Sequence, residues 1–368
     1  MSAEQPAEQQ PVPQQSVQRQ EQPRSDRPRL RVGVVGYGLA GRVFHAPLIA
    51  ADDAYDLVAV VTRDEGRAEQ ATAAHPGLEV VPGARDLDGL GLDLVVVATP
   101  NSTHAEVAAD AMRAGSAVVV DKPVATTASS ARQLVELAES LGRTLTVYQN
   151  RRWDGDYLTA SRLVRSGALG EVHTFESRFE PWKTTNRAGW KSEATVAEGG
   201  GILFDLGPHL VDQALHLFGP VVDVHAEIAR RRPSGAADDD VLLSLRHADG
   251  VRSRLWMSHV AAQPGPRFRV LGSTGAWVVH GLDPQEAQLA SGTSPHDPGY
   301  GDVPDERHGL LGVGADARPE PTDRGRYPLF YEQLARALRG DGPVPVDPRD
   351  AVAALEVIEA ARESAGGA

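Results

Sequence analysis

The sequence predicts an α/β fold in two parts: a parallel, doubly wound sheet, then an α+β part with a large, mostly antiparallel open sheet. Up to about residue 150, short branched apolar runs alternate with helix-like segments, which is the spacing of βαβ units with right-handed crossovers. Beyond that point, strand-like runs follow one another with few helices between them. The length of 368 residues is enough for about two domains.

In the first part, valine-rich runs mark the strands, and the segments between them have helical composition. We expect strands at residues 30–35, 57–61, 94–98, 117–120 and 144–148, and helices at 42–51, 65–74, 105–114 and 129–141. Residues 1–28 are mostly Gln, Pro, Glu and Ser and have almost nothing apolar to bury. We therefore expect them to form a disordered tail.

In the second part, a terminal helix carries the clearest signals. Asp347 is placed to cap it, Pro348 to occupy its first position, and Val352, Leu355 and Ile358 to form its apolar stripe. The Gly/Pro/Asp-rich residues 291–327 predict a long loop. We expect strands at 172–179, 241–245, 251–260, 268–271 and 276–279, and one helix among the earlier strands, at 208–217.

Composition excludes several classes of function. The formal net charge of −13 argues against nucleic-acid binding, which needs a basic face. The absence of cysteine excludes disulfides, thiolate metal sites and cysteine nucleophiles. No stretch approaches the ~20 apolar residues of a membrane span, and the N-terminus lacks an apolar signal core, so we expect a cytoplasmic protein without membrane partners.

A glycine loop, Gly36-Tyr37-Gly38-Leu39-Ala40-Gly41, directly follows the first strand and opens a helix. In that context the pattern predicts a Rossmann dinucleotide-binding domain, over residues 29–150. The first glycine permits a tight turn, the second lets the backbone approach a pyrophosphate, and the third lets helix and strand pack closely. The alternative is an ordinary glycine-rich turn. We assign cofactor contacts to Gly36, Gly38, Leu39, Ala40 and Gly41.

The end of the second strand bears on which nicotinamide cofactor is bound. An acidic residue there would bind the ribose 2′-hydroxyl, whereas an arginine accommodates a 2′-phosphate. The chain offers Thr62 and Arg63, with Asp64 just beyond. A hydroxyl and a guanidinium favour NADP(H) over NAD(H). The alternative is that Arg63 is solvated and Asp64 turns in.

Two further strand ends carry candidate residues. Thr99-Pro100-Asn101-Ser102-Thr103-His104 turns at the carboxyl edge, where Thr99, Pro100, Asn101 and His104 could contact the dinucleotide, although Ser102 or Thr103 could simply cap a helix. Lys122 ends another apolar run and is followed by Pro123. A lysine at this edge can polarise a bound hydroxyl or carbonyl.

Asp205 and His209 form the second chemical cluster. Three glycines at 199–201 precede them, and Pro208 fits the first turn of a helix, which would place Asp205 at its entry and His209 inside it. A spacing of four can set the carboxylate against the imidazole, orienting the ring and stabilising its cationic form, as a general base requires. The alternatives are a plain N-cap and a buried structural histidine. A metal held by Asp205, His209 and Asp212 lacks further ligands and is rejected.

Several ordered motifs together resemble the Gfo/Idh/MocA oxidoreductases. They run from about residue 30 to the C-terminus and include GVVGYGLAGRVFHAPLI, DLVVVATPNSTH, VVVDKP, VYQNRRWDGD and GGGILFDLGPHLVDQALHLFG. GRVFHAP, YQNRRW and the run GLDPQE at 281–286 resemble most the branch of the NADP-dependent scyllo-inositol dehydrogenases.

The resemblance implies catalytic roles. The lysine of the family's Glu-Lys-Pro motif falls on Lys122, which would contact both the nicotinamide ribose and the substrate hydroxyl, and its Asp and His fall on Asp205 and His209. Asp121 stands where the commonest motif has Glu, one methylene longer. His209 would take the proton of a secondary alcohol while hydride passes to the nicotinamide.

The resemblance also implies a sugar or polyol substrate and a second domain, residues 151–368, for substrate binding and for assembly as a homodimer or homotetramer. A glycoside hydrolase of the same fold and a non-catalytic sugar or nucleotide sensor remain alternatives. Residues 187–191 could form a loop over the site. Substrate candidates, each of whose aromatics could equally be core, are Arg151, Arg152, Trp153, Trp182 and Trp190.

Overall fold

The computed structural model describes residues 27–183, 194–233 and 237–366. Up to residue 148 strands and helices alternate, as the sequence predicts. The strands are β1 (Leu30–Val35), β2 (Tyr55–Val61), β3 (Glu79–Val81), β4 (Leu94–Val97), β5 (Ala117–Asp121) and β6 (Leu145–Tyr148). The helices are α1 (Ala46–Ala51), which continues a π-helical turn (Ala40–His45), α2 (Glu65–Ala74), α3 (His104–Arg113) and α4 (Ala128–Leu141).

These strands form one parallel sheet in the order β3-β2-β1-β4-β5-β6. Valine fills its centre because both faces are covered, so the strands carry apolar residues at every position. Successive side chains point to opposite faces: Val118 and Val120 belong to one apolar cluster, and Val119 belongs to another. The predicted doubly wound sheet is confirmed.

The rest of the described chain forms a second sheet and further helices. Its strands are β7 (Val172–Phe179), β8 (Val221–Ala229), β9 (Asp240–His247), β10 (Arg252–Ser258), β11 (Phe268–Gly272), β12 (Ala276–Val279), β13 (Gly309–Gly312) and β14 (Arg318–Glu320). The helices are α5 (Gly155–Arg165), α6 (Ile202–Phe218), α7 (Gln285–Ala290), α8 (Pro328–Leu338) and α9 (Pro348–Ser364). Of these, α7 and α8 pack on the side of the first sheet.

The second sheet runs in the order β14-β13-β12-β11-β7-β10-β9-β8 and is antiparallel except where β7 pairs with β10. Helix α6 packs on one face, where its Leu203 and Leu210 share a cluster with Leu243 and Leu255. The predicted open, mostly antiparallel sheet is confirmed.

Helix α6, which carries Asp205 and His209, begins earlier than the sequence predicts. We expected a helix over 208–217 with Pro208 in its first turn, but α6 begins at Ile202, and Pro208 lies inside it. Proline lacks the N–H that an interior helical position would use. The reason for the early start is a capping contact far along the chain: Asp238 accepts a hydrogen bond from the backbone N–H of Leu203 at 2.8 Å.

The predicted long loop at 291–327 is only partly a loop, since β13 and β14 lie within it at the edge of the sheet. Both strands are short and contain glycine or proline, which suits a sheet edge but hides a strand pattern. Strands β3 and β8 and helices α5, α7 and α8 were also not predicted from the sequence. Helices α5 and α8 begin at Gly155 and Pro328, residues that are more typical of turns.

The terminal helix has the predicted start. The Asp347 side chain accepts a hydrogen bond from the N–H of Arg349 at 2.9 Å, Pro348 opens α9, and Val352, Leu355 and Ile358 are buried. Helix α9 packs against α4 and α6 and so connects the two sheets. Within the described ranges, no helix has the length and apolar character needed to cross a membrane.

Candidate active site

The carboxyl edge of the first sheet gathers the predicted cofactor residues. Strands β1, β2, β4 and β5 are parallel neighbours, so the glycine loop, Thr62, Thr99 and Lys122 follow strand ends at the same edge. Ligands bind at this edge of open α/β sheets.

The glycine loop meets the steric requirements of a dinucleotide site. Gly36 has φ +102°, and a Cβ there would lie 2.5 Å from the Ala98 carbonyl oxygen. A Cβ on Gly41 would lie 2.0 Å from the carbonyl oxygen of Gly36, whereas one on Gly38 would meet nothing within 4 Å. The outer glycines thus allow close backbone packing, and the middle one leaves open space where a pyrophosphate can approach. Leu39 is exposed, and Ala40 starts the π-helical turn.

A cavity of about 320 Å³ lies beside this loop, where the adenosine ribose of a dinucleotide would lie. Arg63 is not among its lining residues: its Nε donates to the carbonyl oxygen of Pro82 at 3.2 Å. The Asp64 side chain caps α2 by accepting from the N–H of Arg67 at 2.9 Å, and Thr62 Oγ1 accepts from the N–H of Asp64 at 3.3 Å. The lining residues are Tyr37, Gly38, Leu39, Arg42, Asp64, Gly66, Arg67 and Gln70.

The loop after β4 connects neighbouring segments. His104 is 1% exposed, and its ring nitrogens lie 2.7 Å from the Pro123 carbonyl oxygen and 2.8 Å from that of Thr99. His104 therefore holds two loops together, and neither ring nitrogen is left for a dinucleotide. Asn101 Nδ2 donates to the carbonyl oxygen of Gly199 at 3.0 Å, which links this loop to the one before α6. Pro100 is exposed and Thr99 half-buried at the same turn.

Lys122 reaches from the end of β5 to the first turn of α6. Its Nζ donates to the backbone carbonyl of Asp205 and lies 3.3 Å from Oδ1 of the same residue. Asp121, the shorter residue in the Glu position of the family motif, accepts a hydrogen bond from the N–H of Lys122 at 2.8 Å. The Lys122–Pro123 peptide bond is cis. The contact brings the lysine at the end of β5 together with the start of α6.

Contacts distant in sequence position the start of α6. Gly201 has φ +97°, and a Cβ there would lie 2.4 Å from Asp238 Oδ1. That oxygen accepts from Arg362 Nη2 at 2.9 Å, while Oδ2 caps Leu203. Asp238 and Arg362 thereby anchor the turn that presents Asp205 and His209.

His209 is buried, and its pKa lies well below the ordinary value. Burial is the main cause, and the positive charges of Lys122 and Arg151 add to it, while Asp205 opposes the shift more weakly. Nδ1 of His209 has no hydrogen-bond partner within the described ranges. Asp205 thus favours the cationic form of the ring, as predicted, but burial and the charges of Lys122 and Arg151 outweigh it, and the carboxylate lies against Lys122.

The predicted substrate residues separate into different roles. Arg151 lies 2.6 Å from Glu286 and 3.3 Å from Asp154, and its charge acts on His209. Arg152 binds Asp212 through two hydrogen bonds of 2.6 and 2.8 Å.

Because Arg152 also contacts Asp350 at 2.9 Å, it is a structural connection between α6 and α9. Trp153 is 6% exposed and packs edge-on against Phe330 with ring centroids 5.6 Å apart, so it belongs to the core. Trp182 is exposed. Trp190 and the candidate loop 187–191 lie outside the described residues.

Arg267 is a buried charge near His209 that was not singled out from the sequence. It is 2% exposed, donates to Ser177 Oγ at 2.6 Å, and contributes to the lowered pKa of His209. Its guanidinium lies 3.4 Å from Asp156 and over the ring of Phe268 at 4.0 Å. An isolated arginine beside a strand carries no motif, so only the fold could reveal it.

Both parts of this chain match domains of a known protein family. Residues 30–149 match the oxidoreductase family's NAD-binding Rossmann fold, and residues 161–367 match its C-terminal alpha/beta domain. An uncharacterized oxidoreductase of Escherichia coli, YdgJ, is 41% identical over 91% of this chain and 96% of its own length.

A named relative and a solved structure, both from Bacillus subtilis, are also similar to this chain over most of their length. The NADP(+) scyllo-inositol 2-dehydrogenase IolW is 33% identical over 91% of this chain and 93% of its own length. The solved structure of YvaA is 31% identical, with a TM-score of 0.86 over 92% of this chain and 97% of that one. With both of its halves matched by the family's domains, the chain belongs to the Gfo/Idh/MocA oxidoreductase family, whose N-terminal part is an NAD(P)-binding Rossmann fold.

Proposed function

We propose that this protein is a dehydrogenase that transfers hydride between a secondary alcohol of a sugar or inositol-like polyol and NADP(H). The observation that carries the proposal is the meeting of Lys122, Asp205 and a neutral His209 at the carboxyl edge that also bears the glycine loop. A catalytic set at the ligand-binding edge of the sheet favours chemistry over a purely binding role.

The residues support a proton-transfer mechanism. The glycine loop would hold the pyrophosphate of the dinucleotide, whose nicotinamide would supply the hydride acceptor or donor when bound. His209, neutral because it is buried near Lys122 and Arg151, can accept the hydroxyl proton of the substrate. Lys122 donates a hydrogen bond to the reacting oxygen and stabilises its developing negative charge. Asp205 holds Lys122 in place, at 3.3 Å.

Arg42 and Arg67 support the preference for NADP(H). Both line the cavity beside the glycine loop, and a guanidinium binds phosphate oxygens in a bidentate manner. Asp64 lines the same cavity, but its carboxylate is engaged by the N–H of Arg67 and lies 3.8 Å from Arg67 Nε. Two arginines and one carboxylate leave one positive charge in excess among these lining residues, which favours a 2′-phosphate. The residues for this preference are thus Arg42 and Arg67 rather than Arg63.

The substrate class is supported by the relatives. One of them is named as a scyllo-inositol 2-dehydrogenase, and it shares 33% identity along most of both chains. We assign the cofactor to residues 29–150 and substrate binding and assembly to 151–368, with 1–28 as a tail that lies mostly outside the described residues.

We further propose a homo-oligomer, a homodimer or homotetramer, formed through the open face of the second sheet. Trp256 and Leu242 are directly paired on that face, and Arg178 stacks over Trp256 at 3.9 Å. Leu310, at the edge of the same face, is 50% exposed. This uncovered face combines apolar residues with ion-paired ones such as Arg269 and Glu176, a mixed surface that supports an interface between copies of this chain.

A panel of inositols and aldoses tests the function. Each is incubated with NADP⁺ or NAD⁺, and the absorbance of the reduced cofactor is followed. We expect stoichiometric reduction with at least one polyol, and a loss of ~10²-fold or more in kcat for Lys122→Met.

Other results would contradict the proposal. A wild-type rate in Lys122→Met would overturn the mechanism. Cofactor binding without reduction by any substrate would favour the sensor, and glycoside cleavage with a permanently bound cofactor would favour the hydrolase.

A further inference from the structure

A second, larger cavity lies at the opposite edge of the first sheet. It encloses about 860 Å³ between the end of α1, the turn at residues 52–54 and one face of α8. Helix α1 runs from the carboxyl end of β1 back to the amino end of β2, so its end lies at the amino edge. The N–H of Leu30, the first residue of β1, donates to the carbonyl oxygen of Ala54 at 2.8 Å and confirms this placement. The cavity is therefore separate from the candidate active site.

Four arginines line this cavity: Arg324, Arg326, Arg336 and Arg339. Arg324 has a carboxylate partner, Asp302, at 3.5 Å. Within the described ranges, the other three have no carboxylate within 4.0 Å. The Nη2 of Arg336 and the Nη2 of Arg339 donate to backbone carbonyls. Among the residues that the structure describes, these three guanidinium groups therefore have no carboxylate partner.

Carboxylates in the same cavity offset this charge only in part. Asp53 lies 3.3 Å from Arg29, and Asp52 Oδ1 accepts from the N–H of Ala54 at 2.8 Å. Glu332, one turn before Arg336 on α8, is the third acidic lining residue. With Arg324 and Asp53 paired elsewhere, three arginines face two carboxylates. The cavity has an excess of positive charge and of guanidinium N–H donors.

We propose that this cavity, the anion pocket (Arg326, Arg336, Arg339 with the wall formed by Leu48, Pro328 and Leu329), binds a small molecule that carries phosphate. Guanidinium groups match phosphate oxygens in geometry and charge. The volume lies in the range of small-molecule sites. The apolar wall is suited to the carbon part of an organic phosphate.

The helix that bears two of these arginines also contacts the candidate active site. On the other face of α8, the Tyr331 hydroxyl lies 2.7 Å from Nδ1 of His45, in the turn that follows the glycine loop. Tyr327, just before α8, donates to Asp154 at 2.7 Å, and Asp154 pairs with Arg151. Helix α8 therefore lies between the anion pocket and the π-helical turn that follows the glycine loop.

Titration calorimetry with inorganic pyrophosphate tests the proposal. The full-length protein is first saturated with NADP⁺, so that the phosphate positions along the glycine loop are filled. We expect one saturable site per chain, and at least a tenfold weaker affinity in Arg326→Ala/Arg336→Ala. The matched control, Arg85→Ala/Arg113→Ala, removes two exposed arginines elsewhere and should leave the affinity within twofold of wild type.

A second pair of probes separates the sources of the phosphate. Tighter binding of adenosine monophosphate than of inorganic phosphate assigns the pocket to an organic phosphate, whereas equal affinity assigns it to the free ion. The absence of saturable pyrophosphate binding overturns the proposal. Equal losses in the pocket variant and the control overturn it too, because the heat would then come from the overall charge.

Discussion

The glycine loop and the start of α6 lie at the same candidate site, but different forces hold them. The loop is shaped by backbone contacts: a Cβ on Gly41 would lie 2.0 Å from a carbonyl oxygen. The helix start is held by two ion pairs. Asp238 lies 2.9 Å from Arg362, and Lys122 lies 3.3 Å from Asp205. We infer that the loop is sensitive to added volume, while the helix is sensitive to lost charge.

The largest expected effect is a fall in kcat when His209 on α6 is replaced. His209→Asn removes the proposed base, and general bases contribute ~10²–10⁴-fold to rates, so kcat should fall by that range. NADP⁺ affinity should stay within about threefold of wild type, because the proposed cofactor contacts lie in the glycine loop and not at His209. His216→Asn, a change on the same helix, is the control and should retain kcat. A fall in cofactor affinity equal to the fall in kcat would show that the two regions are not separable.

The pH dependence of kcat/KM tests whether His209 is neutral in the folded protein. Because the pKa of His209 lies well below 6.5, the ring stays neutral in the folded protein as the pH falls through that value. A base is active when neutral, so kcat/KM should not decline at pH 6.5 and should fall only at clearly lower pH. The same shift contributes stability that is present above pH 6.5 and is lost below it, as the unfolded chain binds the proton. A rate that halves at pH 6.5 would contradict the neutral ring.

Asp238→Asn tests the charge anchor of α6. It leaves the Arg362 guanidinium, with a side chain only 13% exposed, without its carboxylate. Removing one partner of a buried pair costs about 3–5 kcal/mol of unfolding free energy. Glu356→Gln breaks the exposed pair with Arg132 at 3.1 Å and should cost less than about 1 kcal/mol. Denaturant unfolding measures the loss of unfolding free energy in each variant. Equal losses would contradict the proposal that the buried Asp238–Arg362 pair anchors α6.

The same contrast explains what the sequence could predict. The glycine loop was predictable, because its shape depends on three glycines within six residues and their spacing is visible in the sequence. The start of α6 was not, because Asp238 and Arg362 are 33 or more residues away from Asp205 and only the fold brings them together. The roles of Arg152 and Arg267 depend on distant carboxylates and rings in the same way. A motif identifies a residue, but its neighbours decide whether its charge is free for a ligand.

A pair of glycine variants tests the volume limit of the loop. Gly41→Ala forces a Cβ against the Gly36 carbonyl and should cost about 1–3 kcal/mol of unfolding free energy, as overpacking does. Gly38→Ala adds the same atom where nothing lies within 4 Å, so stability should hold while NADP⁺ affinity falls. Thermal unfolding without cofactor and calorimetry with it separate the two effects. Equal stability of the two variants would show that the loop relaxes around the added atom.

The smallest expected effect concerns the cofactor's 2′-phosphate. Arg42→Ala/Arg67→Ala removes both guanidinium groups from the cavity beside the loop. A hydrogen bond to a charged group contributes about 1.5–3 kcal/mol, so KM for NADP⁺ should rise about 10- to 100-fold. KM for NAD⁺ should change less than about threefold, since NAD⁺ has no 2′-phosphate.

Arg63→Ala is the matched control for that variant. Arg63 donates to the carbonyl oxygen of Pro82 and does not line the cavity, so neither KM should change by more than about twofold. The sequence motif alone would assign the phosphate to Arg63, whereas the cavity assigns it to Arg42 and Arg67. A selective loss of NADP⁺ in Arg63→Ala, with the double variant unaffected, would return that role to the motif residue. It would also show that the exposed Arg63 side chain leaves its carbonyl partner when the cofactor binds.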